Sequence, residues 1–344
     1  MSKKFDVVIG NPPYQNEAKG SSGRDEPIYH LFMDAAYEMA DKAVLITPAR
    51  FLFDAGQTPK PWNRKMLSDP HLSVPIYEPD SKKVFPGPDI KGGIAISYRD
   101  ATKAGDPIRT FTAFPELNSI LQKVTAAREQ SLAEVVSSSS AHRYTELMHS
   151  ENPQASALMS KTSQFKVNTN AFEQLGFLFL DSPPSDGGEY IKVLGLLKNK
   201  RFFRWVKSGY IEGPPSMRTF KVVVAAANGS GDFGETLSSP LVLEPLVATT
   251  QSFVTIGSFP NSTEATACLS YIRTKFARGL LGVLKSTQHN PAAKWKHVPL
   301  QDFTNASEID WSKSIAEIDQ QLYAKYGLEQ SEIDFIESHV KPME

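Results

Sequence analysis

Phe5-Asp6-Val7-Val8-Ile9-Gly10-Asn11-Pro12-Pro13-Tyr14 is the stretch from which the rest of the chain can be read. Its first six residues form a short, β-branched apolar run, which predicts a buried strand of a parallel sheet. The two prolines remove two backbone donors and fix φ, so neither strand nor helix continues through them. The result is a rigid turn at the carboxyl end of a strand, where open α/β sheets place their ligands.

Outward from this turn, a Gly/Ser-rich loop is expected from Lys19 to Asp25. Ile28, Leu31, Phe32, Ala35, Ala36 and Met39 then recur at helical spacing. Lys42–Thr47 reads as a second buried strand, closed by Pro48. A helix over Trp62–Leu67, a strand around Val74–Tyr77 and a strand over Gly93–Tyr98 continue the alternation. Alternating strands and helices imply a parallel or mixed α/β sheet. A helix from Phe114 to Arg128 leads out of this unit. The serine run Ser137–Ser140 and the polar stretch to Ser163 read as a linker or mobile loop. From Leu178 the texture changes to a mixed domain. Short strands at Lys221–Ala226 and Leu241–Leu246 precede helical runs at Ala265–Lys285 and Asp310–Tyr326.

The 344 residues suit two domains, or one with an appendage. Hydrophobic residues make up 40% of the chain, which supports a globular core rather than disorder. The single cysteine, Cys268, can form no internal disulfide and no thiolate cluster, which fits a reducing cytoplasm. No run approaches the roughly 18 apolar residues of a membrane helix, and Met1–Phe5 lacks the apolar core of a signal peptide. His289 and His297 have no carboxylate or cysteine at ligand spacing, so no metal site is expected.

Net charge is −1, but the charge is unevenly placed. No acidic residue lies between Ala265 and Gln301, where Arg273, Lys275, Arg278, Lys285, Lys294 and Lys296 fall. A second basic stretch carries Lys198, Lys200, Arg201, Arg204 and Lys207. Local basic faces can hold phosphates even on a chain of near-neutral total charge. They can equally be ordinary solvated surface.

The stretch Phe5–Tyr14 resembles the catalytic motif of amino-methyltransferases, which use S-adenosylmethionine to methylate an exocyclic or amide nitrogen. The chemistry explains the residue types. An adenine amino nitrogen is a poor nucleophile because its lone pair is delocalised into the ring. Two acceptors set against its two hydrogens favour a more tetrahedral nitrogen and localise that pair. Asn11 can offer its side-chain oxygen and Pro12 its backbone carbonyl, held by the fixed φ of Pro12 and Pro13. Tyr14 offers a flat face for the base. Such stacking contributes about 1–3 kcal/mol, comparable to the few kcal/mol needed to extrude a base.

The order of segments extends the likeness. After the turn come Ala43–Phe53, Phe85–Ser97 with Asp89-Ile90-Lys91-Gly92-Gly93, and a C-terminal domain including Tyr210–Glu212, Lys285–Gln288 and Trp295–Pro299. This is similar to the type IIG restriction–modification methylases. The resemblance implies a partial Rossmann-like, S-adenosylmethionine-dependent methyltransferase sheet in residues 1–130 and a linker or mobile loop over 131–163. It further implies a mixed α+β target-recognition domain over 164–304 and a helical tail over 305–344. It assigns catalysis to Asn11, Pro12, Pro13 and Tyr14, and cofactor contact to Asn11. Stacking on the target base falls to Tyr14 and Phe85. Lys198, Arg201, Arg204, Arg273, Lys285, Gln288 and Lys296 are the candidate contacts to double-stranded DNA.

The family's glycine-bearing S-adenosylmethionine loop should precede the catalytic turn, and only ten residues precede Asn11. The expectation is therefore an incomplete cofactor site, and strands missing beside Phe5–Ile9. An N-terminal methyltransferase fragment or a separate subunit would complete it. Other readings stay open. Pro79-Asp80 with Asp89-Ile90-Lys91 matches the loose acidic-and-lysine pattern of a metal-dependent nuclease, which would make this the restriction component. Enzymes that methylate a glutamine amide use the same turn. A catalytically inactive DNA-specificity module is the third.

Overall fold

The computed structural model describes residues 4–16, 26–54, 57–85, 90, 92–285 and 287–343. The chain is mixed α/β and divides into two compact units, Met1–Gln122 and Lys123–Glu344. Among the described residues no helix is long and apolar enough to cross a membrane.

In the first unit, β1 (Phe5–Gly10) runs into the proline turn. A two-residue ladder follows, β2 (Gln15–Asn16) against β3 (Glu26–Pro27). Helix α1 (Tyr29–Met39) leads directly into β4 (Ala40–Pro48); then come α2 (Lys60–Leu67), β5 (Leu72–Glu78), β6 (Ile94–Asp100) and α3 (Pro115–Ala126), which crosses the boundary between the units. The sheet order is β1-β4-β6-β5. β1 pairs with β4 in parallel, and β6 runs antiparallel to both β4 and β5, so β1, β4 and β5 share one direction. Tyr29, Met33, Ala36 and Tyr37 lie at helical spacing and form the stripe of α1 that enters the core with Leu45, Phe51, Trp62 and Met66.

The sequence pattern predicts that Phe5–Gly10 is buried. It is instead the edge strand, paired only with β4 among the described residues. Val8 faces the core cluster, while Phe5, Val7 and Ile9 alternate onto the other face and stay exposed, Ile9 to 78%. The apolar composition is that of a strand with both faces covered, but among the described residues only the Val8 face is covered. Helix α1 has a similar second apolar stripe, since Leu31, Phe32 and Met39 are also exposed.

The second unit holds β7 (Arg143–Tyr144), α4 (Glu146–Glu151), α5 (Pro153–Leu158), α6 (Ala171–Gln174), β8 (Tyr190–Leu197), β9 (Lys200–Lys207), β10 (Ile211–Glu212), β11 (Phe220–Ala225), β12 (Leu241–Leu243), β13 (Val247–Thr249) and β14 (Phe253–Phe259). Helices α7 (Ser262–Arg273), α8 (Lys275–Gly282), α9 (Ile315–Lys325) and α10 (Gln330–His339) complete it. Its two larger sheets are ordered β13-β8-β9 and β12-β11-β14.

The stretch expected as a linker is ordered structure. The Ser137 amide donates to the Thr255 carbonyl of β14 at 2.8 Å, and its hydroxyl accepts from the Thr255 amide at 2.8 Å. Thr145 caps α4, and Tyr144, Met148 and Ala155 are buried. Serine-rich composition misled here because these hydroxyls serve as caps and strand contacts. The single helical run expected over Ala265–Lys285 is two helices. Thr274 takes an extended backbone and accepts from the Ala277 amide at 3.1 Å, ending α7 and capping α8. The strand expected over Leu241–Leu246 ends at Leu243 as β12, and Leu246, at a left-handed φ of 61°, precedes β13.

Candidate functional site

Because β1, β4 and β5 are parallel, their carboxyl ends open onto the same edge of the sheet. Asn11–Tyr14 follows β1, the 3-10 turn Ala49–Phe53 follows β4, and Pro79–Phe85 follows β5. The amino end of β6 returns to this edge through Gly92-Gly93. Gly93 has φ +77°, and a Cβ there would lie 2.5 Å from the Glu78 carbonyl oxygen. Only glycine lets the chain pass so close to β5 while its carbonyl accepts from the Ala49 amide at 3.0 Å. Three separate segments are thereby tied to one edge.

On that edge Asn11 is exposed, and neither its side-chain amide nor the Pro12 carbonyl is engaged by another described residue. Pro12 is half-buried and Pro13 exposed. Tyr14 is held more firmly. Its carbonyl accepts from the Ile28 amide at 3.1 Å, and its ring packs against the core. Its hydroxyl is buried with no partner among the described residues, and burial raises the phenol above its ordinary value. Phe85 is fixed by its amide donating to the Ser81 carbonyl at 2.8 Å. The Tyr14 and Phe85 rings meet edge to face, centroids 6.4 Å apart and planes at 66°. A base held between two parallel rings needs roughly 7 Å, twice the contact distance of carbon atoms. The two aromatic candidates are thus brought together, but they touch each other rather than frame a slot.

Sequence reasoning did not single out a second aromatic group here. Phe53, Tyr77 and Phe111 pack mutually at 5.4–5.5 Å, with Phe53 partly exposed just beyond the end of β4. The available signal was position, since Phe53 closes the turn after a buried strand. Of the nuclease pattern, Asp80 accepts from the Lys82 amide at 3.1 Å as the cap of a 3-10 turn. Asp89 and Lys91, like the loop Lys19–Asp25, lie outside the described residues, and no metal-holding cluster occurs among the residues that are described.

The basic candidates of the second unit separate into two groups. Lys285 is 3% exposed; its ammonium pairs with Glu235 and donates to the Asn228 carbonyl at 3.1 Å, so burial and pairing leave nothing for a phosphate. Arg273 donates to the Pro240 carbonyl at 3.3 Å with its Nε buried. Arg201 donates to the carbonyls of Ser238 and Ser239, and Arg204 pairs with Asp181. Lys198, Gln288 and Lys296 are exposed. In the acid-free run from Ala265 to Gln301, Arg273, Lys275, Arg278, Lys285 and Lys294 therefore form internal ties, and Lys296 is exposed. Arg278 is buried and donates to three carbonyls, and Lys275 pairs with Glu337 at 2.5 Å. Trp295 is fully buried.

Residues 1–85 match the Eco57I restriction-modification methylase family. Over 94 residues the chain is 35% identical to an uncharacterized adenine-specific methylase of Mycoplasma pneumoniae, an alignment covering 26% of this chain and 22% of that protein. The chain thus spans about a fifth of the curated relative it matches. Among solved structures it is similar to the type IIG restriction endonuclease BpuSI, with TM-score 0.34 and 10% identity over 97% of this chain and 53% of that one. It is also similar to the type IIL restriction-modification enzyme MmeI, solved in complex with DNA, with TM-score 0.35 and 10% identity over 97% of this chain and 56% of that one.

Proposed function

We propose that this chain carries the catalytic turn of a site-specific DNA adenine methyltransferase, with Asn11, Pro12, Pro13 and Tyr14 as its catalytic residues. The observation that carries the reading is the placement of Asn11 and the Pro12 carbonyl. Both are unengaged by described residues, and both stand at the carboxyl end of a parallel strand, in the turn that leads to Tyr14. The match of residues 1–85 to a methylase family supports the same chemistry.

In this reading an adenine leaves the duplex and lies against Tyr14. The Asn11 oxygen and the Pro12 carbonyl each accept one amino hydrogen, which raises the electron density on the nitrogen. Phe85 would close the second face of the base once the two rings turn toward parallel. S-adenosylmethionine, when bound, supplies a methyl group on a positively charged sulfur. The amino nitrogen would bond to that carbon as the carbon–sulfur bond breaks, the electron pair staying on sulfur as a neutral thioether, and one amino hydrogen would leave to solvent as a proton. Asn11 would contact both the base and the methyl donor.

The residues present fit one wall of a cofactor site. In doubly wound sheets the ligand crevice lies where the strand order reverses. Here the sheet steps from β1 outward to β4 in one direction, and among the described residues no strand pairs with the other edge of β1, so β1 is where such a reversal would fall. The order β1-β4-β6-β5 supports half of a Rossmann-like sheet. A complementary half, supplied by an N-terminal segment or a second subunit, would pair the open edge and bring the rest of the cofactor site. The second unit is then the DNA-reading part.

The test is transfer of labelled methyl from S-adenosylmethionine by this chain together with its complementary half. Label in DNA as N6-methyladenine supports the reading. Label in protein instead would assign the turn to a glutamine amide.

A further inference from the structure

Asp80-Ser81-Lys82-Lys83-Val84 is an exposed turn with one buried member. Asp80, Lys82, Lys83 and Val84 face solvent, whereas Ser81 is 1% exposed. A buried hydroxyl is costly unless it is hydrogen-bonded. That of Ser81 accepts from the Ile90 amide at 2.9 Å. Its carbonyl accepts from the amides of Val84 at 3.1 Å and Phe85 at 2.8 Å. One residue thus fastens the chain at Phe85 and again at Ile90. The 3-10 turn itself is capped by Asp80, so the Ser81 hydroxyl is not needed to form it.

The fastening continues across the site. The Ile90 carbonyl accepts from the Gly93 amide at 3.0 Å, and the Gly93 carbonyl accepts from the Ala49 amide at 3.0 Å. These bonds run from the turn after β5, through the approach to β6, to the turn after β4. Every link but the first joins backbone groups, so the Ser81 hydroxyl is the point at which a side chain decides the arrangement. Phe85 hangs from this relay with its ring edge-on to Tyr14, centroids 6.4 Å apart. With its amide held, the ring turns toward parallel by rotation about side-chain bonds.

We propose that Ser81 is a positioning residue, holding Phe85 opposite Tyr14 so that the Phe85 ring can close on the second face of the target base. Ser81 touches neither the base nor the methyl donor and acts through Phe85. The proposal rests on the methyltransferase reading of the chain and adds to it a residue outside the Asn-Pro-Pro-Tyr turn.

The experiment is a double-mutant cycle in the completed enzyme, with kcat and KM for duplex DNA measured for the parent, Ser81→Ala, Phe85→Ala and the double variant. Phe85→Ala should lower kcat roughly tenfold or more through lost stacking. Ser81→Ala should lower kcat roughly threefold or more by displacing a positioned group, but no further than Phe85→Ala does, with KM close to that of the parent. On the Phe85→Ala background the Ser81 substitution should cost much less or nothing. Ser81→Thr keeps the hydroxyl and should retain activity that Ser81→Val, of the same shape, loses. In the chain alone, hydrogen exchange of the Ile90 amide should quicken in Ser81→Ala while the amides of β4 keep their protection.

An equal loss on both backgrounds would make Ser81 a purely structural residue and overturn the proposal. Parental kcat in Ser81→Ala, or unchanged exchange at Ile90, overturns it too and leaves the methyltransferase reading standing. If the Ser81→Ala chain loses protection throughout, it has not folded, and equal activity of Ser81→Thr and Ser81→Val then overturns the proposal. If the parent methylates no DNA, the methyltransferase reading fails and the proposal with it.

Discussion

Ile9 and Val44 stand opposite each other in the parallel ladder of β1 and β4, yet Ile9 is 78% exposed. A strand at the parallel core of an α/β sheet normally has both faces covered. Among the described residues, the free side of β1 is thus both an unpaired edge and an uncovered apolar face. Phe5, Val7 and Ile9 lie on that face, and Leu31, Phe32 and Met39 form a second exposed apolar surface on α1. Fully burying one such side chain stabilises by about 1.5–3 kcal/mol. Covering several of them would supply substantial driving force for a complementary half.

Ile9→Lys should leave the stability of the isolated chain within about 0.5 kcal/mol, because Ile9 makes few internal contacts. The same variant should weaken association with the complementary half by tenfold or more in a sedimentation or calorimetric titration. Unchanged association would show that β1 is not the junction.

Tyr14→Phe removes a buried hydroxyl with no described partner, so folding and methyl transfer should both persist. Tyr14→Ala removes the ring and should cost about 1–3 kcal/mol of base stacking. Steady-state kinetics of the completed enzyme on duplex DNA distinguish the two. Equal loss in both variants would mean that the hydroxyl, not the ring face, does the chemistry.

Lys285→Ala breaks a buried pair with Glu235 and should destabilise the second unit by about 3–5 kcal/mol in denaturant unfolding. DNA affinity of the folded variant should stay within twofold, since that ammonium faces inward. A loss of affinity without a loss of stability would restore Lys285 as a phosphate contact.

Burial, helped by the charge of Lys221, lowers His142 from 6.5 to about 4, with its Nδ1 held by Thr249 at 3.1 Å. The unfolded chain takes up the proton at the higher value and the folded chain at the lower. Stability is therefore full above pH 6.5 and falls as pH drops toward 4, by up to roughly 3 kcal/mol. His297, lowered to about 4 mainly by burial, adds in the same window. Unfolding curves at a series of pH values should show this fall, and His142→Gln should flatten part of it. A slope unchanged by the substitution would place the titration elsewhere.

Much of the first unit was legible because its signals are local. A β-branched run, a Pro-Pro stop and helical spacing from Ile28 to Met39 need no long-range contact to recognise. Exposure of Ile9 was not legible from its residue type, since apolar composition reports the covering a strand calls for and not what this chain supplies. The second unit was read less well. Thr274 divides a continuous helical pattern by capping with its own hydroxyl, and Ser137 pairs with a strand more than a hundred residues away. The fate of a charge was hidden for the same reason. Lys198 and Lys285 look alike in sequence, but one sits on a turn and the other opposite Glu235.

The central claim is tested most directly by Asn11→Ala in the completed enzyme, with N6-methyladenine counted in digested DNA and duplex binding measured beside it. Loss of one of the two acceptors should slow methyl transfer on the order of 10²–10³-fold, by analogy with removal of one donor from an oxyanion hole, while duplex affinity stays close to that of the parent. Methylation at the parental rate in the alanine variant would contradict the account.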